Sequence, residues 1–169
     1  AGERDWEKLE AYLGRMRKGF STIAKKKYDS GNNILDALTS HLLSGIGDNV
    51  EVGFSARLTG EISVDQMSLC AIYSNLLKSA VEALEKCDGR EACRLNIEVL
   101  SNEKWIKIAI DNSVGEDPVD LSGTSKPDKE HHGYGIGIVR EQVGRCGGEL
   151  TFSRKGNMFC VRVTLPNGK

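Results

Sequence analysis

Three stretches of the chain carry residue types suited to handling a phosphate ester. Asn75, Ser79 and Glu82 fall at i, i+4 and i+7, so a helix presents all three on one face while Leu76, Ala80 and Ala83 turn away. Oxygens in such a stripe suit magnesium, which wants about six oxygen ligands and in phosphate sites takes only one or two from protein. Read alone, the stripe is an ordinary solvated helix face. The second stretch, Ile110-Asp111-Asn112-Ser113-Val114-Gly115, ends an alternating run in which Ile106, Ile108 and Ile110 face one way and Asp111 the other. A carboxylate there accepts from an exocyclic amine such as adenine's, and Gly115 lets backbone approach a flat ligand. By itself Asp-Asn-Ser is equally a turn. The third is His132-Gly133-Tyr134-Gly135-Ile136-Gly137-Ile138-Val139, three alternate glycines opening into a helix whose free N–H groups suit phosphate. It lacks the spacing of a dinucleotide fingerprint, and no Gly-Lys-Ser/Thr follows as in a P-loop. Just upstream, Thr124-Ser125-Lys126 adds hydroxyls and an ammonium in a long polar loop over residues 112–132, able to fold over a ligand as a lid.

These stretches need elements to hold them. Trp6, Leu9, Leu13, Met16, Phe20 and Ile23 recur at steps of 3 and 4, the a/d pattern of a helix over residues 3–28. It reads either as the end of a dimerisation helix or as a helix packed on its own domain. Ser30-Gly31-Asn32-Asn33 breaks the pattern and offers an N-cap for a helix over residues 34–43. Residues 50–58 alternate as a half-buried strand, and Asp65 caps a helix with the stripe Leu69, Ile72, Leu76, Ala80 and Ala83. Leu95-Ile97-Val99 and Ile106-Ile108-Ile110 read as a hairpin around Ser101-Asn102-Glu103. The glycine-led helix ends at Gly147-Gly148, and strands at 150–154 and 158–165 turn at Lys155-Gly156-Asn157. Paired strands between helices predict an α/β two-layer sandwich: a mixed, mostly antiparallel sheet of about five strands with helices on one face.

With 169 residues, 39% of them hydrophobic and 28% charged, the chain is one folded domain's worth. Its 23 basic and 24 acidic side chains leave a net charge of -1, so no global field draws in nucleic acid or anionic lipid. No apolar run approaches the ~20 residues of a membrane span. The chain opens on Ala1 and reads as a fragment or processed product, any membrane segment lying outside it. Cys70, Cys87, Cys93, Cys146 and Cys160 form no C-x-x-C pair and read as reduced thiols of a cytosolic protein; His41, His131 and His132 lack zinc-ligand spacing.

In order along the chain, these motifs resemble the nucleotide-binding domain shared by gyrase, the heat-shock chaperone, histidine kinases and MutL, the GHKL superfamily with its Bergerat ATP-binding fold. The resemblance covers residues 31–166. More narrowly it is similar to the catalytic domain of bacterial sensor histidine kinases of the quorum-sensing and citrate-sensing type. Carrying it are Tyr28-Asp29-Ser30-Gly31-Asn32-Asn33-Ile34-Leu35-Asp36-Ala37-Leu38, Asn75-Leu76-Leu77-Lys78-Ser79-Ala80-Val81-Glu82-Ala83, Thr124-Ser125-Lys126-Pro127-Asp128 leading to the glycines, and the closing strand. Residues 1–30 then stand as the end of an upstream dimerisation and acceptor region, and residues 31–169 as the ATP-binding domain.

The resemblance implies ATP and Mg²⁺ as cofactors, with Asn75 and Ser79 meeting the ion and phosphates and Glu82 one turn on, where many relatives carry a basic residue. It assigns adenine to Asp111 with Asn112 beside it and Gly115 following. Ser125 and Lys126 fall in the lid, and Gly133, Tyr134, Gly135, Ile136 and Gly137 in the phosphate loop. The chemistry it implies is transfer of the γ-phosphate to a histidine on a separate acceptor domain. The implied partners are that domain, a response regulator and, in the full-length protein, a second copy; the implied location is cytoplasmic. Two positions depart from the pattern: Ser79 stands where the family has Asn, and Ser113 where many relatives have Gly. His41 lacks the acidic neighbour of a phosphorylated histidine and reads as structural. An anti-sigma-type serine kinase and a degenerate, non-catalytic nucleotide-binding or dimerising module remain as alternatives.

Overall fold

The computed structural model describes residues 28–87, 92–115 and 133–168. The heptad segment, Ser125, Lys126, His131 and His132 lie outside the described residues, and for Gly133 and Tyr134 only the backbone is described.

Helix α1, Asn33–Leu42, starts where Asn32 Oδ1 accepts from the N–H groups of Ile34 and Leu35 at 3.0 and 3.2 Å. Ahead of it the chain is gripped closely. Ser30 donates to Asp36 Oδ1 from both its backbone N (2.7 Å) and its hydroxyl (2.6 Å), while its carbonyl accepts from Leu58 N at 2.9 Å. Both Ser30 and Asp36 are buried. Gly31 between them has φ +84°, a left-handed conformation, and a Cβ there would lie 2.9 Å from the carbonyl oxygen of Leu58.

Strand β1, Val50–Arg57, leads to helix α2, Gln66–Glu85, where Asp65 accepts from Ser68 N at 2.9 Å. The buried stripe of α2 is wider than the spacing predicts, with Tyr73, Leu77 and Leu84 joining Leu69, Ile72, Leu76 and Ala80. Ala83 is only half-buried. Tyr73, at 0% exposure, shares a 2.7 Å hydrogen bond with Thr39 of α1, which satisfies its hydroxyl inside the core and ties the two helices.

Strands β2, Cys93–Ser101, and β3, Trp105–Ser113, form the expected hairpin. Helix α3, Gly133–Arg145, begins at the first glycine of the run, so these glycines form its opening turn instead of a loop ahead of it. Past its end Gly147 takes φ +67°, and a Cβ on Gly148 would lie 2.6 Å from Thr164 O, so β4, Glu149–Lys155, starts hard against β5, Met158–Pro166.

The five strands lie in the order β1-β2-β3-β5-β4; β1 and β2 are parallel, joined through α2, and every other pair is antiparallel. One face, carrying Leu95, Ile97, Val99, Ile106, Ile108, Ile110, Val161, Val163 and Leu165, is buried in a single core with α1, α2 and α3. The other is open, with Arg94, Asn96, Glu98, Lys107 and Arg162 exposed. This is the mixed, open-sheet α/β sandwich that the element order predicts.

Candidate nucleotide site

Asn75 and Ser79 stand half-buried on α2 where that helix meets the first turn of α3. The approach is close: a Cβ on Gly135 would lie 3.3 Å from Asn75 Oδ1 and 3.6 Å from Ser79 Oγ. Only glycine leaves that gap open. Asn75 is also oriented, because its Nδ2 donates to the Ala71 carbonyl one turn back at 2.7 Å, which leaves Oδ1 toward α3. The leading N–H groups of α3, from Gly133 to Gly135, precede the first intrahelical bond of a helix that begins there and carry the positive end of the helix dipole. Two neutral oxygens thus face a helix start that favours anions. Among the described residues no three His, Cys, Asp or Glu side chains converge on a metal position. Neutral oxygens sharing an ion with phosphates and water is a donor set that fits Mg²⁺. Glu82 is on the same helix, its carboxylate 3.9 Å from Lys78 in an exposed i,i+4 pair, and Ile136 and Gly137 continue the first turns of α3.

Asp111 is not brought to this place. Ile106, Ile108 and Ile110 face the helices, so the pleat sends Asp111 to the open face, where its carboxylate forms a two-pronged ion pair with Arg162 of β5. One prong, Nη2 to Oδ2, is 2.9 Å. That bond to Asp111 raises the pKa of the Arg162 guanidinium. The same face holds a shallow cleft of about 440 Å³ floored by Gly53, Ser55 and Ala109. On the opposite side of the sheet from Asn75, it is separated by the whole sheet from the oxygens of α2.

Asn112, the next residue, has the other parity. It is 2% exposed on the helix-facing side, with its Nδ2 donating to Ser113 O at 3.0 Å. Ser113 is fixed in turn, its Oγ accepting from Arg94 N at 2.9 Å. Beyond it the β4–β5 turn pins the chain: Val114 N donates to Asn157 O at 2.8 Å, and Arg154 Nη2 to Gly115 O at 2.9 Å. The alternation of β3 puts Asn112 on the face of Ile106, Ile108 and Ile110, and the packed layers show that this is the face the helices cover.

A family model described as the GHKL domain matches residues 64–166, from the cap of α2 to the last strand and more than half of the chain. The chain belongs to the GHKL domain family. No curated protein matches it. Among solved structures, this GHKL chain is similar to the nucleotide-free catalytic domain of histidine kinase ThkA, with a TM-score of 0.65 at 18% identity over 83% of this chain and 96% of that one. The mycobacterial sensor histidine kinase MprB gives a TM-score of 0.60 at 14% identity, covering 80% of this chain and 94% of that one. A histidine kinase from Burkholderia phymatum gives 0.59 at 12% identity, covering 96% and 81%. At these identities the likeness is one of fold, and that fold is the one found in histidine kinase catalytic domains.

Proposed function

We propose that this GHKL domain binds Mg-ATP and donates the γ-phosphate to a histidine on a separate dimerisation and acceptor domain, as the catalytic part of a two-component sensor histidine kinase of the quorum-sensing or citrate-sensing type. The observation that carries this reading is the meeting of Asn75 Oδ1 and Ser79 Oγ with the glycine-led start of α3. Asn75 and Ser79 would hold the ion, Ser79 directly or through water, and the α3 amides of Gly133 to Gly135 would receive phosphate oxygens. The magnesium supplies neutralisation of phosphate charge when bound. The chain's own share is positioning: α2 presents oxygens at fixed spacing, and Gly135 keeps the passage open. Adenine falls to Asn112, on the helix-facing side, in place of Asp111. Ser125 and Lys126 keep the lid role that the family resemblance gives them. The partners proposed are the acceptor domain, a response regulator and a second copy of the full-length chain, on the cytoplasmic side of a membrane receptor. Among the described residues no helix is long and apolar enough to cross a membrane.

Calorimetry with Mg-ATP on this chain and on Ser79→Asn tests the binding step, and labelled ATP with an added acceptor-helix protein tests transfer. Binding followed by acid-labile labelling of the acceptor is the expected result. Binding without transfer sinks the kinase reading, and no binding by either variant sinks the nucleotide reading. Ser79 favours one second reading, a weakened or non-catalytic module, which predicts that only the Asn variant binds.

A further inference from the structure

Asn112 is almost wholly buried, and its two amide ends are in different states. Nδ2 is tied to the Ser113 carbonyl, whereas among the described residues no hydrogen bond reaches Oδ1. An acceptor left free at the end of a largely buried side chain is available to a donor from a ligand. Resting on the proposed nucleotide reading, we infer that Asn112 reads position 6 of the purine as a neutral amide, and that the site therefore admits 6-oxopurine nucleotides as well as the 6-amino nucleotide ATP.

The chemistry follows from the donors and acceptors of the two groups. Held by Ser113, the amide offers an oxygen, which accepts from the N6 amine of adenine. A 6-oxopurine brings an acceptor to the same spot and meets Oδ1 lone pair to lone pair. An asparagine has an answer: half a turn about its Cβ–Cγ bond presents Nδ2–H to O6 at the cost of the bond to Ser113. A carboxylate has none, because both of its oxygens only accept. Asp111, the nearby carboxylate, plays no part, since it is occupied by Arg162 on the far face of the sheet. Discrimination between the two purine classes is then limited to about one hydrogen bond, roughly 5- to 150-fold in affinity.

The test compares Mg-ATP with Mg-ITP, which differs from ATP at purine position 6, by calorimetry on the chain and on Asn112→Ala. The chain is expected to bind ITP roughly 5- to 150-fold more weakly than ATP, and Asn112→Ala to weaken ATP while bringing the two affinities within about threefold. ITP binding more than about a thousandfold weaker than ATP overturns the inference, because one turned amide does not impose so large a penalty. An unchanged ATP-to-ITP ratio in Asn112→Ala also overturns it, by showing that another group reads the base. ATP binding with either of those outcomes removes this inference alone, whereas binding of neither nucleotide removes the proposed function and the inference with it. Circular dichroism of Asn112→Ala separates lost recognition from a lost fold, and Asn112→Ser, which keeps a buried hydroxyl in place, repeats the comparison if the alanine variant unfolds.

Discussion

Gly135 is the residue at which stability and binding should part company. Replacing it with alanine raises helix propensity by up to about 1 kcal/mol, so α3 should gain stability or hold it. The new methyl would sit 3.3 Å from Asn75 Oδ1 and push the side chain from its orientation. The expected outcome for Gly135→Ala is an unchanged or higher thermal midpoint together with at least a several-fold loss of Mg-ATP affinity, read by calorimetry. Ser79→Asn should move the other way, restoring an amide oxygen and strengthening binding by roughly 5- to 150-fold, one polar contact's worth. Asp111→Asn separates the sequence expectation from the folded geometry. With its side chain on the open face against Arg162, the substitution should leave ATP affinity within about twofold, whereas an adenine-reading carboxylate would lose far more.

At the scale of elements, much of this chain was legible because local rules and burial agree. The β2–β3 hairpin follows from alternation, and Asn102 Oδ1 closes its turn by accepting from Lys104 N and Trp105 N at 2.9 and 3.0 Å. Asn32 and Asp65 cap the helices that their positions announce. The start of α3 was harder to read. Three glycines argue against a helix by propensity, yet the helix forms, and at Gly135 the close pass over Asn75 leaves little room for a side chain, whereas a Cβ on Gly137 would meet nothing within 4 Å. Asp111 lies where parity puts it, opposite the Ile106–Ile110 stripe, and the assembled layers show that the stripe is the side that faces the helices. The strap before α1 gives an element-scale prediction. Gly31→Ala forces a left-handed residue with its Cβ 2.9 Å from Leu58 O, and should cost at least about 1–2 kcal/mol, seen as a lower urea midpoint with an unchanged slope.

For the molecule as a whole, the strand order could not be read from the sequence, because the parallel pairing of β1 with β2 joins segments on either side of α2 and no local residue encodes which edge β1 takes. The assembled core leaves a mark on alkaline stability. Burial pushes the Tyr73 hydroxyl from its ordinary value of 10 up to about 12. A tyrosine in the unfolded chain ionises near pH 10, so between pH 10 and 12 the unfolded state holds fewer protons and stability falls as pH rises; below pH 10 the contribution of about 2–3 kcal/mol is whole. Comparing urea midpoints of the chain and Tyr73→Phe from pH 8 to 11.5 should show the steeper alkaline decline only in the chain that keeps the tyrosine; parallel declines would mean that Tyr73 is not the group responsible.

The grip on Ser30 carries one more consequence. Its backbone is fastened through Asp36 to α1 and through the Leu58 amide to the end of β1, so the chain has no slack at this residue. A pull or twist borne by the polypeptide ahead of that residue is delivered at once to a helix and a sheet edge, as a shaft keyed into a hub transmits torque where a rope would absorb it.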